Sequence, residues 1–410
     1  MIEISLSSSG MAERLQRYAD LIIRVGVNVQ PRQTVYINAL PEHAELVRAL
    51  AKSGYDAGVR YVDVQYVDPH VRRTMIERAD DEVLTFSPPW LVERYRAAAD
   101  GGALVMIAGE DEPELLADLD QARVGKARTL DALDELRRGQ SGRTLSWTIA
   151  AWPTSGWAQQ MFGEPDVERL WQAIAATVAL DDDDPVASWQ AHTAKLRERA
   201  RRLNELRLDT LRYDGPGTDL TVGLLEAHRW VGGGVETTYG AFHVPNMPTE
   251  EVFTTPDRRR AEGTVRSTRP LQLGGTVVRD LEFRLEDGRI VDVSAASGAD
   301  AVRAQLETDE NAAHLGEVAL VDGESRVGKT GLTFFNTLFD ENATCHIAFG
   351  NAIVFGTELE DVAPDDLEAH GFNLSSIHTD FMVGGPDVTV TGITRDGSEV
   401  PLLVEDVWQL

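Results

Sequence analysis

The sequence has little of three things: cysteine, uncharged apolar runs and positive charge. Cys345 is the only cysteine among 410 residues, which excludes a disulfide framework and favours the cytoplasm as compartment. No stretch approaches the roughly 18 apolar residues that a membrane-spanning helix needs. The N-terminus lacks a basic n-region and its apolar positions have helical spacing, so we do not expect a signal peptide.

Positive charge is scarce relative to negative charge. Lysine and arginine total 39 against 67 aspartate and glutamate residues, a formal net charge of −28. A mean field of this sign repels phosphate groups and therefore argues against a nucleic acid or an anionic membrane as partner. The length is sufficient for two ordinary domains, and a hydrophobic content of 42% is typical of globular proteins. We expect a two-domain protein with an acidic surface.

The first half alternates between short apolar segments and amphipathic ones. Strands are predicted at 33–38, 59–68, 101–111 and 144–153, with helical patterns between them. This alternation is typical of βα units that form a parallel sheet with helices on both faces. We therefore predict an open, largely parallel α/β domain over residues 1–190.

The second half has a different pattern of predicted secondary structure. After a predicted linking helix at 191–207, short alternating strands are joined by Gly/Asp turns, and "EDGR" and "RDGS" are hairpin signals. One helical pattern interrupts the strands at 298–312. We predict an α+β, mostly antiparallel domain over 208–410 and expect the catalytic chemistry there.

One stretch imitates a nucleotide-binding motif. Gly323–Thr330 matches the phosphate-loop pattern G-x-x-x-x-G-K-[ST]. A working phosphate loop needs a helix that begins at its Lys-Thr pair and a parallel sheet to hold it. Here Gly331 and a run of strand-forming residues follow, and Glu324 would place a carboxylate in the phosphate cradle. We interpret the stretch as a polar turn, and a nucleotide hydrolase is the less favoured alternative.

Histidines are concentrated in the second half, which contains six of nine. His378 and Asp380 are two residues apart in an apolar, strand-like run, so both side chains project from one face. A histidine beside a carboxylate is half of a divalent-cation site. His346 lies in another apolar run next to Cys345. Because neighbours on a strand face opposite sides, Cys345 faces the core if His346 faces a site.

Several carboxylates accompany these histidines. Glu317 opens one apolar run, and Glu250 and Glu251 precede another. Such acids are costly to bury unless something positive neutralises them. Glu250 and Glu251 face opposite sides of a strand, so only one reaches a given cation. Asp340 and Glu341 are possible ligands, but a helix- or turn-capping cluster is the simpler interpretation. Together, three carboxylates and two imidazoles form a ligand set for two neighbouring Zn- or Co-like ions.

With these residues in view, the chain resembles the aminopeptidase T/aminopeptidase S family of dinuclear metallo-aminopeptidases. The resemblance is carried by the segments "VPNMPTEEVFTTPDRRRAEGTV", "GEVALVD", "TLFDENATCHIAFGNA" and "GFNLSSIHTDFMVGG". It implies two divalent ions per chain, zinc, cobalt or similar, peptide substrates with a free N-terminus, and a homodimer. The metal ligands that it implies are Glu251, Glu317, His346, His378 and Asp380.

The resemblance leaves two points open. It makes Glu251 the ligand by its separation from the next one and leaves Glu250 as a candidate proton-handling base, but a register shift of one residue exchanges the two. The family carries a tyrosine seven residues after the histidine of C-H-I-A, where this chain has Ile353. A catalytically impaired metal-binding homologue is therefore an alternative to an active aminopeptidase.

Overall fold

The computed structural model describes residues 8–359 and 362–410. The predicted fold class is confirmed: a parallel sheet with flanking helices is followed by mostly antiparallel sheets. The parallel sheet has the strand order β10-β4-β3-β1-β2, so it takes its edge strand β10 from the second half of the sequence. Its strands are β1 (Thr34–Ala39), β2 (Tyr61–Tyr66), β3 (Ala103–Ala108), β4 (Ser146–Ala151) and β10 (Asn246–Met247).

Helices connect these strands and cover the sheet. They are α1 (Ser8–Leu21), α2 (Ala44–Asp56), α3 (Pro69–Arg78), α4 (Asp81–Leu84), α5 (Pro89–Ala99), α6 (Gln121–Lys126), α7 (Leu130–Ser141), α8 (Ser155–Phe162) and α9 (Val167–Thr177). Local chemistry sets their starts: the Asp68 side chain accepts a hydrogen bond from the His70 backbone N–H at 2.9 Å, and proline occupies the first position of α3. Within the described ranges, no helix is long and apolar enough to cross a bilayer.

A long helix follows the acidic run before residue 185. Helix α10 (Pro185–Leu206) begins after Asp184, whose side chain accepts a hydrogen bond from the Ala187 backbone N–H at 3.0 Å. It therefore starts before the predicted linking helix at 191–207, and the division into domains stays a prediction. The later helices are α11 (Ala299–Leu306), α12 (Thr337–Asp340) and α13 (Pro364–Leu367).

Two antiparallel sheets dominate the second half. The five-stranded one, in the order β19-β18-β17-β11-β7, consists of β7 (Val231–Gly232), β11 (Val252–Thr254), β17 (Leu315–Leu320), β18 (His346–Gly350) and β19 (His378–Met382). The eight-stranded one consists of β5 (Leu208–Gly215), β6 (Thr218–Leu224), β12 (Pro256–Arg266), β15 (Glu282–Glu286), β16 (Arg289–Ser294), β20 (Thr389–Thr394), β21 (Glu399–Val404) and β22 (Val407–Trp408). Two short hairpins complete the fold, β8 (Val235–Glu236) with β9 (Phe242–His243) and β13 (Leu271–Leu273) with β14 (Thr276–Val278).

An aromatic cluster lies at the centre of the second-half core. The ring of Phe283 lies 5.7 Å from that of Phe349 and 5.1 Å from that of Phe381, both edge-on. Such contacts add to the free energy gained by burying the rings. Because strand neighbours face opposite sides, packing Phe349 and Phe381 inward leaves the other face of β18 and β19 for polar residues.

This packing predicts a stability effect. Truncating the fully buried ring in Phe381→Ala removes its contacts with both partners and leaves a cavity, so we expect a loss of about 3–5 kcal/mol in the free energy of unfolding. The matched control is Phe86→Ala, whose ring is 58% exposed and which should stay within about 0.5 kcal/mol of the wild type. Urea-induced unfolding measures both, and equal losses would contradict the assigned core.

Candidate metal centre

Four of the predicted ligands project from one face of the five-stranded sheet. In the register of β17, β18 and β19, Glu317 pairs with Ala348, and Ala348 pairs with Asp380. His346 and His378 lie two residues before Ala348 and Asp380, so they face the same side. The strand register alone thus gathers two imidazoles and two carboxylates.

The register of β11 with β17 shows which of the neighbours Glu250 and Glu251 faces the site. Phe253 of β11 pairs with Ala319 of β17, which faces the same side as Glu317. Glu251, two residues before Phe253, is therefore directed to the site, and its Oε2 lies 3.0 Å from Nε2 of His346. Glu250 faces the opposite side.

The five side chains form two overlapping groups that share one carboxylate. Glu251, Glu317 and His346 offer donor atoms within 4.8 Å of one another, and so do Glu317, His378 and Asp380. The Glu317 carboxylate connects them, with Oε1 at 4.0 Å from Nε2 of His346 and Oε2 at 3.1 Å from Nε2 of His378. This arrangement suits two adjacent cations bridged by one carboxylate.

Backbone carbonyls orient both imidazoles. Nδ1 of His346 lies 2.8 Å from the Glu341 carbonyl oxygen, and Nδ1 of His378 lies 2.7 Å from that of Asn351. A neutral imidazole that donates from Nδ1 presents the lone pair of Nε2, the usual tautomer of a metal ligand that is held by a second hydrogen bond. Both Nε2 atoms point toward the carboxylates.

At the start of β17, the backbone of Gly316 lies close to the carbonyl groups of Gly350 and Asn351. A Cβ atom at Gly316 would lie 2.4 Å from the Asn351 carbonyl oxygen and 2.5 Å from that of Gly350, so only glycine fits. The register shifts between Leu315 and Glu317 at this glycine. The irregularity sets the register that places Glu317 opposite Ala348.

The electrostatics of the cluster are dominated by buried acids. Burial raises the pKa of Glu317 to about 7, with nearby Glu251 and Asp380 adding to the rise and His378 opposing it. Burial opposes protonation of His346, but its hydrogen bond to Glu251 and the surrounding carboxylates outweigh that effect and raise its pKa to about 10. Positive charge at this site therefore stabilises the buried carboxylates.

The donor set fits divalent cations. Carboxylate oxygens and imidazole nitrogens are the ligands of zinc and related ions. Oδ1 of Asp380 is buried, and its one contact with a positive group among the described residues is Nε2 of His378 at 3.4 Å, which is long and poorly directed for a hydrogen bond. A cation shared with His378 would satisfy it.

Glu250, the predicted proton-handling base, is not brought to this cluster. Its Oε1 accepts a hydrogen bond from the Arg326 backbone N–H at 3.1 Å, and its Oε2 lies 3.5 Å from Nε2 of His192. Burial raises the pKa of Glu250 to about 7, and the nearby charges that modify this pKa are those of Arg326, Asp322 and Lys195 rather than those of the metal centre. Strand alternation, which directs Glu251 inward, is the physical reason.

A different carboxylate, Glu341, lies at the centre instead. It lines the same cavity as the five predicted ligands, and its Oε1 accepts hydrogen bonds from the side-chain amides of Asn246 at 3.1 Å and Asn342 at 3.3 Å. Burial, reinforced by Asp380, raises its pKa well above the ordinary value. The capping role expected for this residue is therefore wrong, and its position five residues before His346 was the available signal.

Asp340 behaves as expected of a turn-stabilising acid. It accepts hydrogen bonds from the backbone N–H groups of Phe334 at 2.8 Å and Asn336 at 3.1 Å, which hold the loop before α12. The buried Cys345 agrees with its predicted core position, with Sγ 3.4 Å from the Val321 carbonyl oxygen.

The centre opens into a cavity of about 440 Å³. Its remaining walls are largely apolar and include Trp147, Ile149, Phe253, Leu338 and Ile353. At Ile353 an aliphatic side chain stands where the resembled family has a tyrosine. The cavity is thus an apolar pocket with convergent polar groups at one end, the usual form of a small-molecule site.

The phosphate-loop imitation is a turn. Gly328–Thr330 is a single 3₁₀ turn that ends at Gly331 with positive φ, and the preceding strand β17 is antiparallel to both neighbours. Nζ of Lys329 lies 3.0 Å from Oε2 of Glu324, and both side chains are mostly exposed. A phosphate cradle needs a following helix and a parallel sheet, and this segment has neither.

Comparison with known proteins agrees with this geometry. A family model described as "Thermophilic metalloprotease (M29)" matches residues 11–408. Aminopeptidase T of Thermus aquaticus is 41% identical over 97% of this chain and 98% of its own length. Aminopeptidase 2 of Geobacillus stearothermophilus is 36% identical over 97% and 98%.

A solved structure supports the same relationship. Wild-type AmpT from Thermus thermophilus superimposes with a TM-score of 0.87 at 40% sequence identity, covering 97% of this chain and 99% of the other. The resemblance found in the sequence is thereby confirmed over nearly its full length. The chain belongs to the thermophilic metalloprotease family and is an enzyme that hydrolyses peptide bonds.

Proposed function

We propose that this enzyme is an aminopeptidase that uses two divalent metal ions to release N-terminal residues from peptides. The observation that carries the proposal is the pair of ligand groups that share Glu317. Glu251 and His346 would hold one ion, His378 and Asp380 the other, and Glu317 would bridge them. Zinc or cobalt suits this mixed set of oxygen and nitrogen donors.

When bound, two such ions supply Lewis acidity to the peptide carbonyl and to the attacking water. The chain's own residues bind and orient the substrate around them. The apolar walls formed by Phe253, Leu338 and Ile353 receive the side chain of the N-terminal residue. The acidic end of the cavity attracts the protonated α-amine of a free N-terminus, which favours removal of single terminal residues.

Glu341 is the carboxylate best placed to move the proton. It lies in the cavity beside the ligands but belongs to neither ligand group. The amides of Asn246 and Asn342 hold its Oε1, and within the described ranges no hydrogen bond engages Oε2. Glu341 can therefore take a proton from the attacking water and deliver it to the leaving amine.

The first test combines metal analysis with turnover. We expect about two divalent ions per chain by elemental analysis and chelator-sensitive hydrolysis of leucinamide. Glu317→Gln removes the shared negative charge, so it should lose bound metal and at least about 99% of turnover. The control Glu324→Gln changes an exposed glutamate that contacts Lys329 and should keep both.

The competing functions give different results. Metal-loaded protein that hydrolyses no peptide or amide indicates the impaired homologue suggested by Ile353. ATP hydrolysis that is lost in Lys329→Ala supports a nucleotide hydrolase. Wild-type turnover and metal content in Glu317→Gln would show that the ligand assignment is wrong.

The proton-transfer role is tested separately. Glu341→Gln keeps the shape and the contacts of the residue but cannot accept the proton, so we expect kcat to fall by about 10²–10⁴-fold with bound metal unchanged. Glu250→Gln removes the carboxylate that the sequence alone favoured and should alter kcat less than tenfold, because Glu250 faces Arg326. Steady-state kinetics on leucinamide with metal analysis measure both, and a reversed order would assign the proton transfer to Glu250.

A further inference from the structure

A second cavity adjoins the metal centre. It has a volume of about 1010 Å³ and lies between helix α3, helix α5 and the segment that leads into β19. Ile377 and His378 line both cavities, so the second begins where the first ends. A peptide whose first residue occupies the apolar pocket can continue past His378 into this larger space.

Two arginines stand on the wall of the second cavity. The exposed side chain of Arg72 lines this cavity and, within the described ranges, makes no hydrogen bond and no ion pair. Desolvation by the surrounding walls lowers its pKa, and Glu110 opposes that effect from beyond ion-pair distance. An exposed guanidinium is ordinarily solvated by water, so the distinguishing feature of Arg72 is its place on this cavity wall near Arg128.

Arg128 is also poorly compensated. Its Nη1 donates a hydrogen bond of 3.3 Å to the Ser376 carbonyl oxygen, which also accepts a bond of 2.7 Å from Nη2 of Arg137. Desolvation lowers the pKa of Arg128, and the like charges of Arg137 and Arg72 lower it further. Two guanidinium groups thus line the cavity next to the metal centre. Asp68 lines it too, but its carboxylate accepts hydrogen bonds from the His70 and Val71 backbone N–H groups and forms no ion pair with either arginine within the described ranges.

The acid that opposes this lowering of the Arg128 pKa, Asp309, is already engaged in hydrogen bonds. Oδ2 of Asp309 accepts hydrogen bonds from the Ser375 hydroxyl at 2.9 Å, the Ser376 backbone N–H at 2.8 Å and the Ser376 hydroxyl at 2.7 Å. These bonds stabilise the loop before His378. Asp309 therefore holds the loop that forms part of the cavity wall and, within the described ranges, forms no ion pair with either arginine.

We propose that Arg72 and Arg128 form a subsite for a carboxylate in the downstream part of the peptide substrate. The inference rests on the proposed aminopeptidase function and adds a substrate class to it. Guanidinium groups bind carboxylates through paired, charge-assisted hydrogen bonds. The carboxylate is either the C-terminus of a short peptide or an acidic side chain close behind the cleaved bond, since both offer the same chemistry.

Two substrate pairs test the subsite and identify the source of the carboxylate. Leu-Gly-Gly is compared with its C-terminal amide, and Leu-Asp-Gly-amide with Leu-Asn-Gly-amide. For the wild type we expect KM about tenfold lower for the charged member of at least one pair, a difference equivalent to about 1.4 kcal/mol. The pair that shows the preference identifies the source.

The variants Arg72→Gln and Arg128→Gln should abolish this preference and leave kcat/KM for leucinamide, which has no carboxylate, unchanged. Arg72→Lys should keep part of it because the charge remains. Arg78→Gln is the matched control on the same helix, since its exposed side chain lies outside the cavity, and it should keep the full preference. If Arg128→Gln fails to fold, Arg72→Gln decides alone, because the exposed Arg72 side chain makes no hydrogen bond or ion pair within the described ranges.

Two results would overturn the subsite. One is a wild type that hydrolyses leucinamide but distinguishes neither substrate pair. The other is an unchanged preference in both glutamine variants. Either leaves the proposed aminopeptidase standing, whereas a wild type that hydrolyses none of these substrates removes the proposed function and this inference with it.

Discussion

The candidate metal centre depends on one constraint: carboxylates that face one another inside a sheet must be neutralised. Glu251, Glu317 and Asp380 converge on two imidazoles, and Glu317 is 4% exposed. Burying such acids in an apolar strand is costly unless cations balance them. The antiparallel register, the bulge at Gly316 and the carbonyls that orient the histidines all serve to keep these donors together.

The two faces of the five-stranded sheet have different roles, since one packs into the core and the other carries the candidate metal centre. One face of β18 and β19 places Phe349 and Phe381 against Phe283, and the opposite face presents His346, His378 and Asp380. Alternation along a strand allows a rigid aromatic core to hold the site without contributing to its chemistry. Rigid strands rather than loops therefore carry all the histidines and two of the carboxylates proposed to bind metal.

The proposed substrate path follows from the contrast between two cavities. The first is apolar with an acidic end, which suits an N-terminal residue and its ammonium group. The second carries the guanidinium groups of Arg72 and Arg128, which suit a carboxylate. His378 lies between them, so a short peptide with opposite charges at its two ends matches the polarity of the path.

Local sequence predicted the fold class and four of the candidate ligands, because strand alternation and the pattern of acids and histidines depend on neighbouring residues; the choice of Glu251 came from the family resemblance. It also left Glu250 and Glu251 interchangeable and assigned Glu341 to a cap. Only the tertiary structure decided these points, since the direction of Glu251 depends on its register with β17, and the position of Glu341 on its approach to Asn246. The proposed carboxylate subsite could not be predicted from the sequence either, because Arg72 and His378 are far apart in the chain and line the same cavity only in the folded structure.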